Sequence, residues 1–306
     1  MKIFLIRTQI DKMFSCEQLE ALAKAGDVVR IETVQPLSEI SALFEGDEER
    51  ILAIDPDSCD WAVPNDVLDR IPNLKGVVLE TTSFSWVDGE HLKQRGIPLM
   101  NCPGFSSIAV AEWAVMAMLM LARKMPLVIK NDWKLDFESH RGFELREKTA
   151  GVIGLGRIGK AVAENCSGLG MNVQYWSRQA RDERFLYSDL ESLLSTSDVV
   201  FLCLARNEET STLLTDELLH KMKPTTVFVR TGFAPNHELL LSMVRDGHLG
   251  GYAFDEDHST FSRCAGNVLA SPPLGWLTHE AVARSAQMWT DAIVSAAQGE
   301  YPTRVN

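Results

Sequence analysis

Three glycines in the middle of the chain have the spacing of a phosphate-binding turn. The segment "TAGVIGLGRIGKAVAE" (Thr149–Glu164) places Gly154, Gly156 and Gly159 in the pattern GxGxxG, directly after an apolar run and before a helix-compatible stretch. In such a unit the first glycine permits a tight turn, the second lets the backbone approach a pyrophosphate, and the third allows the helix to pack closely on the strand. The helix N-terminus then offers free N–H groups and a positive dipole end. This context predicts a dinucleotide-binding site.

The end of the next predicted strand indicates which dinucleotide is bound. Sites that select NAD carry an Asp or Glu there, which accepts a hydrogen bond from the ribose 2′-OH. The corresponding segment, "MNVQYWSRQ", has no carboxylate and ends in Ser177 and Arg178. A guanidinium pairs with a 2′-phosphate through charge-assisted hydrogen bonds. The sequence therefore favours NADP(H) over NAD(H).

Composition excludes several other classes of function. The chain has 306 residues, with 30 Lys and Arg against 42 Asp and Glu, so its net charge is −12. A chain this acidic lacks the basic surface that nucleic acids and anionic membranes require. The apolar stretch Ile108–Ala122 is too short to span a bilayer, and the N-terminus is predicted to be a strand and not a signal peptide. Six cysteines without paired Cys or His spacing predict reduced thiols, no metal site and a cytoplasmic location.

Two series of alternating strands and helices position these residues. In the first series, strands are expected at Ile3–Ile6, Val28–Ile31, Ile51–Ile54, Val77–Leu79 and Ile97–Met100, and helices at Cys16–Ala23, Leu37–Phe44, Asn65–Ile71 and Asp88–Arg95. In the second, strands are expected at Thr149–Ile153, Val173–Trp176, Val199–Leu204, Thr226–Val229, Gly251–Phe254 and Val268–Ala270, and helices at Gly159–Gly168, Leu190–Ser195 and His237–Arg245. Continuous apolar strands separated by helices predict an α/β fold with parallel sheets in two lobes.

Two longer helices complete the pattern. Ser106–Pro126 is apolar nearly all round, so it is expected to be buried either in one domain or between subunits. Ser106 or Ser107 is expected to cap this helix, and Pro126 to end it. The last helix is expected at about Thr278–Gln298, with Thr278 as its N-cap.

Several blocks in register resemble the D-isomer-specific 2-hydroxyacid dehydrogenase family, which includes phosphoglycerate, glycerate and formate dehydrogenases. Beside the glycine turn, they are Arg95–Arg123, Ser197–Pro224 and Val244–Asp255. The resemblance implies two Rossmann- or flavodoxin-like lobes. It also implies that the cofactor lobe (101–283) is inserted into the substrate lobe (1–100 plus 284–306), and that a homodimer forms around the long helix.

The residues that carry the family's chemistry are replaced in this sequence. The family uses a histidine as acid and base, a glutamate paired with it, and an arginine that holds the substrate carboxylate. The aligned positions hold Pro273, Thr260 and, for the arginine, Thr231 or Phe233. Proline cannot transfer a proton, so the family's mechanism cannot operate unchanged.

Other residues are candidates for the missing roles. His258 is the first choice as proton donor, with His237 and His279 as weaker candidates, and Arg230 is the nearest arginine to the lost position. The substrate-lobe loop "ETTSFSWVD" lacks the expected glycines. Its hydroxyls at Thr81, Thr82, Ser83 and Ser85 bind either a substrate or their own backbone. Trp86, Trp276 and Phe233 either make the cleft more apolar or belong to the core.

Two functions follow from these residues. The first is an oxidoreductase with a reorganised active site and a non-standard small-molecule substrate. The alternative is a non-catalytic dinucleotide-binding sensor or regulatory protein. The residues expected to contact the cofactor are Gly154, Gly156, Arg157, Ile158, Gly159, Ser177, Arg178, Cys203, Leu204, Thr231 and Asp255.

Overall fold

The computed structural model describes residues 1–179, 182–205, 207–232, 235–255 and 264–306. The chain divides into two compact units. Unit 1 comprises Met1–Ser106 and Thr278–Asn306, and unit 2 comprises Ser107–Leu277, so unit 2 is inserted into the chain of unit 1. The division into 1–100 plus 284–306 and 101–283 stays a prediction.

Unit 1 is built around a five-stranded parallel sheet in the order β2-β1-β3-β4-β5. This is the strand order of flavodoxin-like folds, and the order reverses between β1 and β3. The strands are β1 (Lys2–Ile6), β2 (Asp27–Ile31), β3 (Arg50–Ile54), β4 (Leu74–Leu79) and β5 (Leu99–Met100). The helices are α1 (Ile10–Met13), α2 (Cys16–Ala25), α3 (Asn65–Arg70), α4 (Gly89–Gln94) and α12 (His279–Ala297).

Unit 2 contains a seven-stranded parallel sheet in the order β12-β11-β10-β9-β6-β7-β8. Read from β8, this is the dinucleotide-binding order with one further strand, and it reverses between β6 and β9. The strands are β6 (Thr149–Ile153), β7 (Asn172–Trp176), β8 (Leu186–Tyr187), β9 (Val199–Leu202), β10 (Val227–Arg230), β11 (Gly251–Asp255) and β12 (Val268–Ser271). The helices are α5 (Ser107–Ala122), α6 (Met125–Lys130), α7 (Arg157–Gly168), α8 (Leu190–Thr196), α9 (Glu208–Ser211), α10 (Asp216–Leu219) and α11 (His237–Arg245).

These sheets confirm the predicted α/β fold with two parallel-strand sheets. The central strands β3, β9 and β10 are buried throughout, which explains why β3 is an unbroken apolar run apart from Arg50. In unit 2, α5 packs on one face of the sheet with Trp113, Ala117 and Leu121 buried in the shared core. At the start of α12, the Thr278 hydroxyl accepts a hydrogen bond from the Ala281 N–H at 3.1 Å, as a capping residue should.

Two local predictions are wrong. The segment predicted as one helix at Leu37–Phe44 forms two 3₁₀ turns, Leu37–Glu39 and Ser41–Leu43. Leu37, Ile40 and Leu43 are all buried, and their three-residue spacing matches the three residues per turn of a 3₁₀ helix.

Pro126 does not end the long helix. That helix, α5, ends at Ala122, and Lys124 then adopts the left-handed conformation with φ of 54°. Pro126 lies in the first turn of α6, where its missing N–H costs no helical hydrogen bond.

Candidate dinucleotide-binding site

The turn after β6 requires glycine at two of its three positions for reasons internal to the protein. Gly154 has a positive φ of 97°, and a Cβ there would lie 2.6 Å from Cδ2 of Leu204. A Cβ on Gly159 would lie 1.9 Å from the carbonyl oxygen of Gly154. These two glycines therefore permit the turn and the close contact between α7 and β6.

Gly156 is different, because nothing in the described protein needs it to be glycine. Its φ of −80° suits any residue, and a Cβ there would meet no atom within 4 Å. Gly156 is the N-cap of α7, so the open space lies against the N–H groups at the positive end of a 12-residue helix. A backbone kept bare beside open space fits the pyrophosphate of a dinucleotide.

A cavity of about 370 Å³ lies beside this turn. Its lining joins the turn to the ends of β7 and β9 and to α9. The described lining residues are Gly154, Leu155, Gly156, Trp176, Ser177, Arg178, Cys203, Leu204, Ala205, Asn207, Glu209, Thr210 and Leu213. Six of the predicted cofactor residues thus lie together: Gly154, Gly156, Ser177, Arg178, Cys203 and Leu204.

Arg178 pairs with a carboxylate that lines the same cavity. Its Nη1 lies 3.0 Å from Oε2 of Glu209, and the two side chains are 68% and 71% exposed. Ser177 is buried, and its hydroxyl donates a hydrogen bond to the carbonyl of Gln179. The guanidinium is therefore accessible from solvent but already paired with an acid that lies 31 positions later in the chain.

The other predicted cofactor residues lie outside the described lining of the cavity. Gly159 and Ile158 lie on α7 with Arg157, which is exposed at the first position of that helix. The Thr231 hydroxyl donates to the Leu202 carbonyl at 3.1 Å. A carboxylate oxygen of Asp255 accepts from the N–H of Gly275 at 3.4 Å. Their assignment as cofactor contacts stays a prediction.

Arg230 is buried in unit 2 and is only 1% exposed. Its Nε donates to the Tyr252 hydroxyl at 2.8 Å, Nη1 donates to the Gly232 carbonyl, and the guanidinium lies over the Phe254 ring. The Tyr252 hydroxyl also lies 3.1 Å from Nδ1 of His237. Turning Arg230 toward a ligand would break these hydrogen bonds, and its assignment as a catalytic residue stays a prediction.

The remaining catalytic candidates are distributed as follows. His258, Thr260 and Phe233 lie outside the described residues. His279 is exposed at the first position of α12, and Pro273 and Trp276 are exposed on unit 2. Their assignment as catalytic or substrate-binding residues stays a prediction.

In the hydroxyl-rich loop of unit 1, the hydroxyls of Thr81 and Thr82 bond backbone groups of the protein. Thr81 Oγ1 accepts from the Ser83 N–H at 3.2 Å, and Thr82 Oγ1 donates to the Cys102 carbonyl at 2.9 Å. The Ser83 carbonyl accepts from the Trp86 indole at 3.0 Å. The contacts of Thr81 and Thr82 favour the interpretation in which the loop hydroxyls bond the backbone over the one in which they bind a substrate.

A charged cluster in unit 1 is absent from the sequence-based predictions. Arg7, Asp55 and Glu80 directly follow β1, β3 and β4, so they meet at the carboxyl edge of the sheet. Arg7 Nη1 pairs with Glu80 and lies 3.6 Å from Asp55. Burial raises the pKa of Glu80 to about 8, although the Arg7 charge opposes this shift. A charged residue directly after each of three buried strands is the signal that predicts such a cluster.

Within the described ranges, no group of three His, Cys, Asp or Glu side chains is placed to hold a metal ion. The helices of the described segments include none long and apolar enough to cross a membrane.

Comparison with known proteins agrees with this architecture. Residues 115–265 match the family described as D-isomer specific 2-hydroxyacid dehydrogenase, NAD binding domain. A glyoxylate reductase from Aeropyrum pernix is 31% identical over 94% of this chain and 91% of its own length. A glyoxylate reductase from Thermococcus litoralis is 29% identical over 78% of this chain and 79% of its own.

Solved structures share the fold over the whole chain. One, an acyclic imino acid reductase in complex with NADPH and D-Arg, superposes with a TM-score of 0.84 at 24% identity, covering 100% of both chains. At this identity the likeness concerns the fold.

Proposed function

We infer that this chain, which belongs to the D-isomer-specific 2-hydroxyacid dehydrogenase family, is an oxidoreductase with a reorganised active site. It prefers NADP(H) to NAD(H), and it acts on a substrate other than the small 2-hydroxyacids of its relatives. The family match supports the NAD-binding fold and the broad reaction class. The cofactor preference and the changed substrate are our proposals.

The observation that carries the cofactor proposal is Arg178, which lines the same cavity as the open backbone at Gly156. A bound nicotinamide dinucleotide supplies or accepts a hydride. The N–H groups at the start of α7 would hold its pyrophosphate, and Arg178 would contribute a charge-assisted hydrogen bond to a 2′-phosphate.

The reorganised site is supported by the residues at the family's catalytic positions. Pro273 has no proton to transfer, and Thr260 carries no charge. The nearest arginine, Arg230, is committed to Tyr252 and Gly232. A 2-oxoacid substrate needs a cation for its carboxylate and a proton donor for its carbonyl oxygen. The chain therefore lacks the usual means of handling such a substrate.

Titration of the purified protein with NADPH and NADH tests the cofactor proposal. We expect NADPH to bind at least about tenfold more tightly, roughly 1.4 kcal/mol, which is the scale of one charge-assisted hydrogen bond. Arg178→Ala should weaken NADPH binding by a similar factor and leave NADH nearly unchanged. Nicotinamide fluorescence or calorimetry measures both affinities.

Arg245→Ala provides the matched control, because Arg245 is also an exposed arginine of unit 2 paired with an acid, Asp246, at 2.9 Å. It should leave both affinities as in the wild type. Equal affinities of the wild type for the two dinucleotides, or a preference for NADH, would contradict the proposal.

The replacement of residues at the family's catalytic positions favours a second candidate function, a dinucleotide-binding sensor without turnover. The specific observation is the burial of Arg230, which leaves the carboxylate-binding role unfilled among the described candidates. Consumption of NADPH in the presence of a broad panel of carbonyl and imine compounds separates the two functions. Turnover of any of them excludes the sensor.

We also propose a cytoplasmic homodimer formed around α5. Ile108, Met116 and Leu119 on this helix have large apolar side chains exposed to solvent, which is typical of a surface that a partner covers. The six cysteines are all free thiols, which fits a reducing compartment. Sedimentation velocity at micromolar concentration measures the oligomeric state, and a stable monomer would contradict the dimer.

A further inference from the structure

Glu209, the acid that pairs with Arg178, lies in the candidate dinucleotide site. Glu209 lines the same cavity as Ser177 and Gly156, and its Oε2 lies 3.0 Å from Nη1 of Arg178. A ligand phosphate that approaches this guanidinium must therefore approach a carboxylate as well. Because the phosphate and the carboxylate are both negative, they compete for the same cation.

The backbone around Glu209 is held in place by local hydrogen bonds. Asn207 caps the helix α9: its Oδ1 accepts from the Thr210 N–H at 2.8 Å, and its own N–H donates to the Thr210 hydroxyl at 2.9 Å. That hydroxyl donates in turn to the Ala205 carbonyl at 2.7 Å. This reciprocal capping fixes the start of α9 beside the cavity and so presents the Glu209 carboxylate to it.

A carboxylate at this place has opposite effects on the two dinucleotides. It repels a 2′-phosphate and occupies the arginine that would bind it. With a free ribose 2′-OH it can accept a hydrogen bond, which is what the acid at the end of the second strand does in NAD sites. The chain lacks that acid, since β7 is followed by Ser177 and Arg178, but Glu209 brings a carboxylate to the same cavity from α9.

We propose that Glu209 is a specificity-determining residue of the dinucleotide site and that it opposes Arg178. Arg178 favours the 2′-phosphorylated dinucleotide, whereas Glu209 weakens its binding and supports the unphosphorylated one. The selectivity of the wild type is the balance between the two side chains. This inference rests on the proposed dinucleotide site.

The variant Glu209→Gln tests the inference, because it removes the charge and keeps the shape of the side chain. Affinities are measured for NADPH and NADH, and also for adenosine 2′,5′-bisphosphate and 5′-AMP, which report on this half of the site without any turnover. Exposed charge pairs contribute about 0.2–1 kcal/mol, which corresponds to about 1.4- to fivefold in affinity. We expect tighter NADPH and weaker NADH binding, each within about this range, so that the ratio of the two affinities rises about two- to 25-fold.

A matched control is available on the same unit. Glu191 is an exposed glutamate paired with Lys221 at 2.9 Å, and it does not line the cavity. Glu191→Gln removes the same charge from the net total of the protein and should leave the ratio unchanged. A change common to both variants would reflect net charge alone and would overturn the inference.

The outcomes separate this inference from the proposed function. A selectivity ratio that rises by less than about twofold in Glu209→Gln, or that falls, overturns the role of Glu209 while the dinucleotide site itself stands. A wild type that binds neither dinucleotide overturns both. A wild type without NADPH preference contradicts the proposal for Arg178, but a ratio that still rises in Glu209→Gln supports the role of Glu209.

The double variant Arg178→Ala/Glu209→Gln shows how the two residues act. If Glu209 works mainly by occupying Arg178, its replacement should improve NADPH binding less when Arg178 is absent, and the two effects should not be additive. The same two ligands and the same titration measure this coupling. Strict additivity would assign the effect of Glu209 to direct repulsion of the phosphate.

Discussion

Two glycines of the same turn should respond to alanine in opposite ways. At Gly159 a Cβ would lie 1.9 Å from the Gly154 carbonyl, so Gly159→Ala should destabilise the fold by about 1–3 kcal/mol, as overpacking does. At Gly156 the same Cβ meets only open space. Gly156→Ala should therefore keep the free energy of unfolding within about 1 kcal/mol. It should nevertheless weaken dinucleotide binding at least about tenfold, because the methyl group occupies the place of the phosphate.

Urea unfolding and dinucleotide titration on both variants measure this contrast, with each variant serving as the other's control. Unchanged NADPH affinity in Gly156→Ala would mean that no ligand approaches this backbone. A fully stable Gly159→Ala would mean that the packing of α7 on β6 does not require glycine.

At the residue scale, sequence reasoning found what lies in one local motif and missed what comes from distant parts of the chain. Gly154, Gly156, Ser177 and Arg178 were identified because strand, turn and helix follow one another directly, and all four line one cavity. Glu209 was missed because its pairing with Arg178 depends on β7 and α9 being brought together by the sheet. No local spacing contains that information.

At the element scale, β6 and α11 were predicted with their observed bounds, since apolar periodicity determines both. The two wrong predictions concern segments whose structure is determined by a different repeat of buried residues or by a backbone conformation. Residues 37–43 repeat their buried side chains every three positions, which an α-helical interpretation overlooks. The end of α5 is set by the left-handed Lys124, and a lysine gives no signal for that conformation.

The buried carboxyl groups at the carboxyl edge of the unit 1 sheet should make the stability of the protein depend on pH. Burial raises the pKa of Glu80 to about 8 from its ordinary value of 4.5, so between these values the folded state retains a proton that the unfolded chain releases. The free energy of unfolding should therefore fall as the pH rises from about 4.5 to 8. Burial also raises the pKa of the neighbouring Asp55, which acts in the same direction.

Glu80→Gln removes the carboxyl group that titrates, so the free energy of unfolding of this variant should decline less steeply between about pH 4.5 and 8. Urea unfolding at pH 5, 6, 7 and 8 measures the slope. Glu90→Gln, on the exposed surface of α4, is the control and should follow the wild-type slope. A slope in Glu80→Gln as steep as in the wild type would show that Glu80 is ionised throughout, held so by Arg7.

At the scale of the whole molecule, the alternation of strands and helices was sufficient to predict two parallel sheets. The order of the strands was not predicted from it. That order places the reversal of unit 2 between β6 and β9, where the glycine turn begins. It also brings Arg7 and Asp55 together at the reversal of unit 1, because β1 and β3 are neighbours there. Such placements are consequences of topology, and they decide which of the predicted residues can share a site.

Activity toward ordinary 2-oxoacids should be low, because the positions that correspond to the family's catalytic residues are expected at Thr231 or Phe233, Thr260 and Pro273. On our proposal, Pro273, Thr260 and the missing arginine each remove a separate contribution, and acid–base catalysis alone contributes about 10²–10⁴-fold. Glyoxylate, hydroxypyruvate and phosphohydroxypyruvate should therefore be reduced far more slowly than the about 1–10³ per second typical of enzymes.

Pro273→His should not restore this activity, because the restored imidazole would have neither its glutamate partner nor a cation to hold the substrate carboxylate. NADPH oxidation in the presence of each acid measures the rates of wild type and variant, and NADPH titration of both verifies that the cofactor still binds. Wild-type turnover of any of the three acids at ordinary enzyme rates would show that other residues of this chain perform the family's reaction. A large gain in the rate of 2-oxoacid reduction in Pro273→His alone would show that the proline by itself prevents the reaction. The residues at position 260 and at the arginine position would then be compatible with it.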